Sequence, residues 1–401
     1  MGNLLCRHCF HLFPEREGRA LCSGRRCARV SDEQGRAGRR FLVPRQEPGL
    51  WSALRRRPDL AAACPYCQET GRLVPACPYC RRELPRSDGA DDRIIAVLGA
   101  KDAGKSHYLA TLFHQFLKQR VGGEDWRVEA DEETLVEIER RYWRPLFEER
   151  RELPESPLQP GPEMRLLLEN QHDGRRVLLA FRDLSGENFT SAERIERVDY
   201  LRYAHGVVLL ADPQTFGAPP RRGRTTKAGR QEPASPHPDF LEVLERYRAA
   251  LDAQPRTGGR EAELLPLLPE QKLLAVAVSK ADLVLPKSHG FWRPEAVNGH
   301  LAERYWERRA AASEEARRWL VERLGARVEN ATRGFADVSW FFVSNFGYKH
   351  QPHSQALERP PQPLRVHEPI FALLDRFGAT TPARRGTGAA AADQPEELSE
   401  L

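Results

Sequence analysis

One stretch constrains this chain more than any other: Ile94-Ile-Ala-Val-Leu98, followed at once by Gly99-Ala-Lys-Asp-Ala-Gly104-Lys105-Ser106. The apolar run is rich in β-branched residues and reads as a short buried strand. The next eight residues match G-x-x-x-x-G-K-[S/T] at every position. Beyond them Leu109, Leu112, Phe113, Phe116 and Leu117 recur at helical spacing. Strand, glycine-rich turn and helix together make a cradle for phosphate. The glycines let the backbone turn so that successive N–H groups, from Gly99 through Ala100, Lys101, Asp102 and Ala103 to His107, face an anion. Lys105 supplies a mobile positive charge. Ser106 offers a hydroxyl to Mg2+ and opens a helix whose dipole favours the anion. The chain has 8 Lys against 54 Arg, so a lysine inside a motif carries extra information.

The rest of the second region alternates strands with helices. Met164–Glu169 and Val177–Phe181 read as strands joined around Asp173-Gly174, Val207–Leu210 as another, then Leu273–Val278 and Val338–Val343. Helices are expected near Ile195–Leu201, over Phe240–Leu251, across the charged stretch 294–324, and over Pro369–Phe377. Buried strands alternating with helices predict a three-layer α/β domain with a mostly parallel sheet. The expected boundaries are 1–87 for a Cys-rich segment, 93–378 for the nucleotide domain, and 379–401 for a disordered tail. Pro-, Gly- and Arg-rich insertions are expected at 213–236 and 348–366.

Three further elements fall after predicted strands. Asp183-Leu-Ser-Gly186 fits D-x-x-G: the carboxylate can hold Mg2+ and the glycine N–H can sense a γ-phosphate. Glu187 follows, where a Gln often orients water; a carboxylate beside an anion predicts slow hydrolysis unless a partner helps. Ser279-Lys280-Ala281-Asp282 fits [N/T]-K-x-D with Ser first. Asp282 would accept from guanine N1–H and N2–H₂, the stem of Lys280 would cover the ring, and Ser279 would tie this loop to the phosphate loop. Ser344-Asn345 stands where a Ser-Ala step gives an N–H to guanine O6. A first-switch Thr is missing; Ser156 is a candidate, and Thr134 lies in an expected helix.

All eight cysteines precede residue 81: Cys6, Cys9, Cys22, Cys27, Cys64, Cys67, Cys77 and Cys80. Cys64-Pro-Tyr-Cys67 and Cys77-Pro-Tyr-Cys80 are paired knuckles that predict one four-cysteine zinc site, with Cys6, Cys9, Cys22 and Cys27 a second. Such sites are closed to water, hence structural. The formal charge of +5 comes from residues 1–60, with 13 Arg against 6 acids. Two zinc ions on eight thiolates would lower it to +1, so nucleic acid is not a favoured partner. No apolar run approaches the ~18 residues of a membrane span and the start lacks a secretory core, which predicts a cytoplasmic protein with no membrane partner.

With four elements in order, residues 93–378 resemble the Ras-like, translation-factor-related GTPases. Ala103-Gly-Lys-Ser-His-Tyr-Leu-Ala-Thr-Leu112, Ala211-Asp212-Pro213 and His367-Glu-Pro-Ile-Phe-Ala-Leu-Leu374 look like the double-GTPase families of bacterial conflict systems. The resemblance implies a regulatory switch that binds GTP and GDP with Mg2+, hydrolyses GTP, and works beside a dedicated protein partner. Two other readings stay open: a P-loop ATPase using the same Lys105, Ser106 and Asp183, and a zinc-ribbon scaffold whose nucleotide is structural.

Overall fold

A computed structural model describes residues 3–6, 12–14, 18–22, 41–43, 63–64, 67–70, 73–84, 91–121, 125–156, 161–191, 194–195, 199–216, 239–252, 271–292, 303–349 and 356–378. In the N-terminal segment β1 (Asn3–Leu5) and β2 (Leu12–Pro14) form an antiparallel pair. β3 (Arg19–Cys22), β4 (Phe41–Val43) and β5 (Leu73–Ala76) form a sheet of order β4-β3-β5, antiparallel throughout. These short strands lie among Arg, Pro and Cys and give no periodic signal.

The main sheet has seven strands: β6 (Asp91–Gly99), β7 (Trp126–Glu129), β8 (Met164–Asn170), β9 (Arg176–Phe181), β10 (Gly206–Ala211), β11 (Leu273–Val278) and β12 (Asp337–Phe342). Their order is β12-β11-β10-β6-β9-β8-β7. The five from β12 to β9 are parallel; β8 and β7 run antiparallel at one edge. This is the expected three-layer α/β fold, with β7 an addition to the strands legible in the sequence.

Alternate residues of β6 and β10 feed two cores. Ile94, Ala96, Leu98, Val207 and Leu209 face α4 (Phe240–Asp252), α5 (Glu303–Leu324) and α6 (Arg327–Thr332). Ile95, Val97, Val208 and Leu210 face α1 (Lys105–Leu117), the helix α2 (Glu132–Ile138) with its π-helical continuation Glu139–Glu148, and α7 (Glu368–Arg376). Parallel strands buried on both faces read as continuous apolar runs, which is why β6, β10 and β11 are visible in the sequence. The short helix α3 (Asp199–Arg202) precedes β10.

Part of the expected insertion at 348–366 is packed structure. Tyr348, Leu357 and Val366 are buried, Ala356 bridges Arg151, and Leu364 pairs with Ser344. Its Pro and Arg content hid the few apolar anchors that hold it. Residues 217–238, most of the other insertion, and the tail 379–401 lie outside the described residues. No described helix is long and apolar enough to cross a membrane.

Lys272, just before β11, is fully buried, and its Nζ donates to the carbonyls of Arg202 (2.9 Å) and Ala204 (2.6 Å). Burial lowers its pKa from 10.5 to about 7. Between those values the unfolded chain holds a proton that the folded chain has released, so stability should rise with pH across that window. Urea unfolding at a series of pH values is expected to show this rise in the native protein and a flatter profile in Lys272→Met.

Candidate functional site

β6 ends at Gly99, and the chain turns through Asp102 (φ 64) and Gly104 (φ 87) into α1. A side chain at Gly99 would press on Ala103 Cβ at 3.1 Å, so the turn needs glycine there for space. No side chain caps α1, so its first N–H groups face the cradle unengaged by a cap. Lys105 is buried; its Nζ donates to the carbonyls of Gly99 (3.0 Å) and Ala100 (2.9 Å) and lies 5.7 Å from the Phe189 ring centre. Desolvation lowers its pKa to about 8, opposed by Asp183 and Asp102.

Asp183 lies two residues past β9 and is buried. Its Oδ1 accepts from Ser106 Oγ (3.2 Å); its Oδ2 accepts from Ser156 Oγ (3.0 Å) and Tyr142 OH (3.3 Å). The two serine hydroxyls stand 2.6 Å apart. Ser156 therefore stands with Ser106 and Asp183, whereas Thr134 Oγ1 accepts from the Arg165 N–H (3.0 Å). The segment before Ser156 is held against the phosphate loop: Glu155 pairs with Lys101 at 3.4 Å, and the Leu153 N–H donates to His107 Nε2 at 3.4 Å. The His107 ring also packs 5.3 Å from Phe346. Gly186 meets the same loop from the other side. A Cβ there would lie 2.6 Å from both N and Cα of Lys101. Glu187 opens a 3-10 turn with a half-buried side chain.

The two loops expected to read the base follow β11 and β12. Asp282 is buried, which raises its carboxyl pKa, and Oδ1 accepts from Ser344 Oγ at 2.5 Å. Lys280 sits at φ 52, and its Nζ pairs with Asp212 (2.6 Å) and Gln214 (3.2 Å) after β10. Ser279 corrects one expectation: its Oγ donates to Ala211 O at the end of the neighbouring strand β10 (3.4 Å), the acceptor within reach of so short a side chain. Asn345 reaches the phosphate loop instead, donating to Gly104 O at 3.4 Å. Sequence reasoning missed Tyr142, Phe189 and the anchoring role of Asp212. Asp212-Pro213 at a strand end was the one available signal.

The cysteines group differently from expectation. The Sγ atoms of Cys6, Cys77 and Cys80 lie within 4.8 Å of one another, and so do those of Cys22, Cys64 and Cys67. Strand register explains the exchange. β3 pairs antiparallel with β5, so Cys22 lies beside Leu73 while Arg19 lies beside Ala76, next to Cys77. Cys22 therefore meets the chain entering β5 and cannot share a site with Cys77. The two knuckles are built alike: the N–H groups of Gln68 and Arg81 donate to Cys64 O and Cys77 O, with both residues near φ 60. Burial pushes the Cys77 thiol up to about 11, so this sulfur becomes a thiolate at neutral pH only against a cation. Three sulfurs per cluster suit a soft divalent metal such as zinc. Cys9 and Cys27 lie outside the described residues.

A parallel sheet with a glycine-rich loop, a buried Lys, a Ser–Asp pair and an Asp-bearing loop at one end defines a P-loop nucleotide-binding protein. Residues 93–298, more than half of the chain, match the family model Double-GTPase 2, and the chain belongs to that family. This places it among guanine-nucleotide-binding GTPases. Comparison with curated proteins finds no match.

Mild oxidation followed by peptide mapping is expected to give disulfides within Cys6/Cys77/Cys80 or within Cys22/Cys64/Cys67. A Cys22–Cys77 bridge would contradict the grouping.

Proposed function

We propose that this protein is a Mg2+-dependent switch that binds GTP, hydrolyses it to GDP and phosphate, and passes the change to a protein partner. The observation that carries the reading is the convergence of Ser106, Ser156 and Asp183 beside Lys105, with the buried Asp282 in the base-reading loop. Mg2+ on those oxygens would neutralise phosphate charge. Lys105 would turn from its loop carbonyls to the β- and γ-phosphates. Gly186 packs closely on Lys101 of the phosphate loop, and its backbone N–H would report whether a γ-phosphate is present. Asp282, ionised, would accept from guanine N1–H and N2–H₂, with Ser344 orienting it. Gly99–His107, Ser279, Lys280, Asp282, Ser344 and Asn345 make up the proposed nucleotide site. Glu187 sets a negative charge near the phosphates, which favours slow hydrolysis until a partner acts.

Residues 93–378 would carry the nucleotide and residues 1–87 would hold two zinc ions, one on Cys6, Cys77 and Cys80 and one on Cys22, Cys64 and Cys67, as a docking module. Cys9 and Cys27 are the proposed fourth ligands, since each completes a short knuckle with Cys6 or Cys22. A cytoplasmic place and a role in a bacterial conflict or stress system rest on the family resemblance.

Titration calorimetry with Mg2+ tests the base reading. GTP is expected to bind at least about 100-fold tighter than ATP, roughly 2.7 kcal/mol, and Asp282→Asn to lose that preference. Equal binding, or tighter ATP, would replace the GTPase by an ATPase. Ser156→Ala should raise the Mg2+ concentration needed for tight GTP binding about 5- to 10-fold; an unchanged requirement would remove Ser156 from the ligand set.

A further inference from the structure

Two parts of a purine nucleotide are gripped by different loops, and retention depends on those loops staying in register. Ser344 and Asn345 are neighbours in sequence whose side chains go to different loops. Ser344 Oγ donates to Asp282 in the base-reading loop. Asn345 Nδ2 donates to Gly104 O in the phosphate loop at 3.4 Å. The Gly104 carbonyl only accepts, so the amide nitrogen must face it, and Asn345 Oδ1 then lies 3.3 Å from Thr111 Oγ1 on α1, a hydroxyl that also donates to the carbonyls of His107 (2.8 Å) and Tyr108 (3.1 Å). Asn345 is 6% exposed and Thr111 fully buried, so water competes little for these bonds. Nδ2 lies 3.2 Å from where a Cβ on Gly104 would stand, so the approach needs a glycine. The base of this bridge is rigid: Ser344 exchanges both backbone hydrogen bonds with Leu364 (3.1 and 2.8 Å), and the Gly347 N–H donates to Ser344 Oγ (2.8 Å). Ser279 is held by the end of β10 and makes no such link.

We propose that Asn345 is a positioning residue that locks the base-reading loops to the phosphate loop, and that bound nucleotide is retained through this hydrogen bond of the protein to itself. The proposal rests on the nucleotide-binding reading above. It assigns Asn345 a task other than base contact: removing it loosens the nucleotide without changing which purine is preferred.

The test is stopped-flow dissociation of fluorescent GDP and ADP analogues from the full chain, with melting curves as a folding control. Asn345→Ala is expected to speed dissociation of the preferred nucleotide about 3- to 10-fold, the range for one buried neutral hydrogen bond, with association within about twofold and the GDP-to-ADP preference unchanged. Asn345→Leu, which keeps the volume and removes the donor, should give a change of similar size in the same direction. Dissociation altered by less than about twofold in both variants overturns the proposal, as does a changed purine preference in Asn345→Ala. If that variant melts early, the Asn345→Leu rate decides. A native chain that prefers ADP refutes the guanine reading alone, and the tether still stands or falls by the ratio of rates. A native chain that retains neither nucleotide refutes both.

Discussion

Parallel pairing is the constraint on which the site depends. Strands β12, β11, β10, β6 and β9 all run one way, so every loop that leaves a strand end emerges at the same edge of the sheet. Gly99, Asp183, Asp212, Ser279–Asp282 and Ser344–Asn345 are far apart in the chain, yet each lies at or just past the end of one of those five strands. The order reverses around β6, which leaves a crevice beside its end where a ligand can sit. Both faces are sealed by helices, so the strands can be apolar throughout and the polar chemistry is confined to that edge.

Charge is costly at this edge, and the chain manages it by pairing. Lys105 is buried, and desolvation weakens its hold on a proton, but two loop carbonyls and Asp183 support it. Lys280 is anchored by Asp212, and Asp282 by Ser344. These partners keep the ionisable groups in fixed positions, so a ligand meets an organised set of donors and acceptors. The segment around Ser156 and the turn at Gly186 close on the phosphate loop from two sides.

The cysteine clusters follow the same logic in miniature. An antiparallel pair places the end of one strand beside the start of the other, which puts Cys22 beside the chain entering β5, with Cys64 and Cys67, and away from Cys77, which groups with Cys6 and Cys80. Each cluster thereby links residues near the beginning of the segment to residues near its end. Among the described residues of the segment the apolar clusters are small, and cross-links between distant parts of the chain add to what they can hold.

The class of fold, and the placing of the glycine-rich loop and of the Asp183 and Asp282 elements at strand ends, were legible in the order of residues alone. Doubly buried strands leave continuous apolar runs, and a loop that must turn under a phosphate has few choices but glycine, lysine and serine, so β6 to α1, β10, β11 and the Asp183 and Asp282 elements could be read directly. Short strands in polar surroundings, β7 and those of the Cys-rich segment, carry no period and could not. Which residues meet was settled only in three dimensions: Ser156 rather than Thr134 beside Asp183, Asn345 rather than Ser279 at the phosphate loop, and the exchanged cysteine sets. Each of these depends on strand register and side-chain reach between residues far apart in the chain, and spacing along the chain holds no information about either.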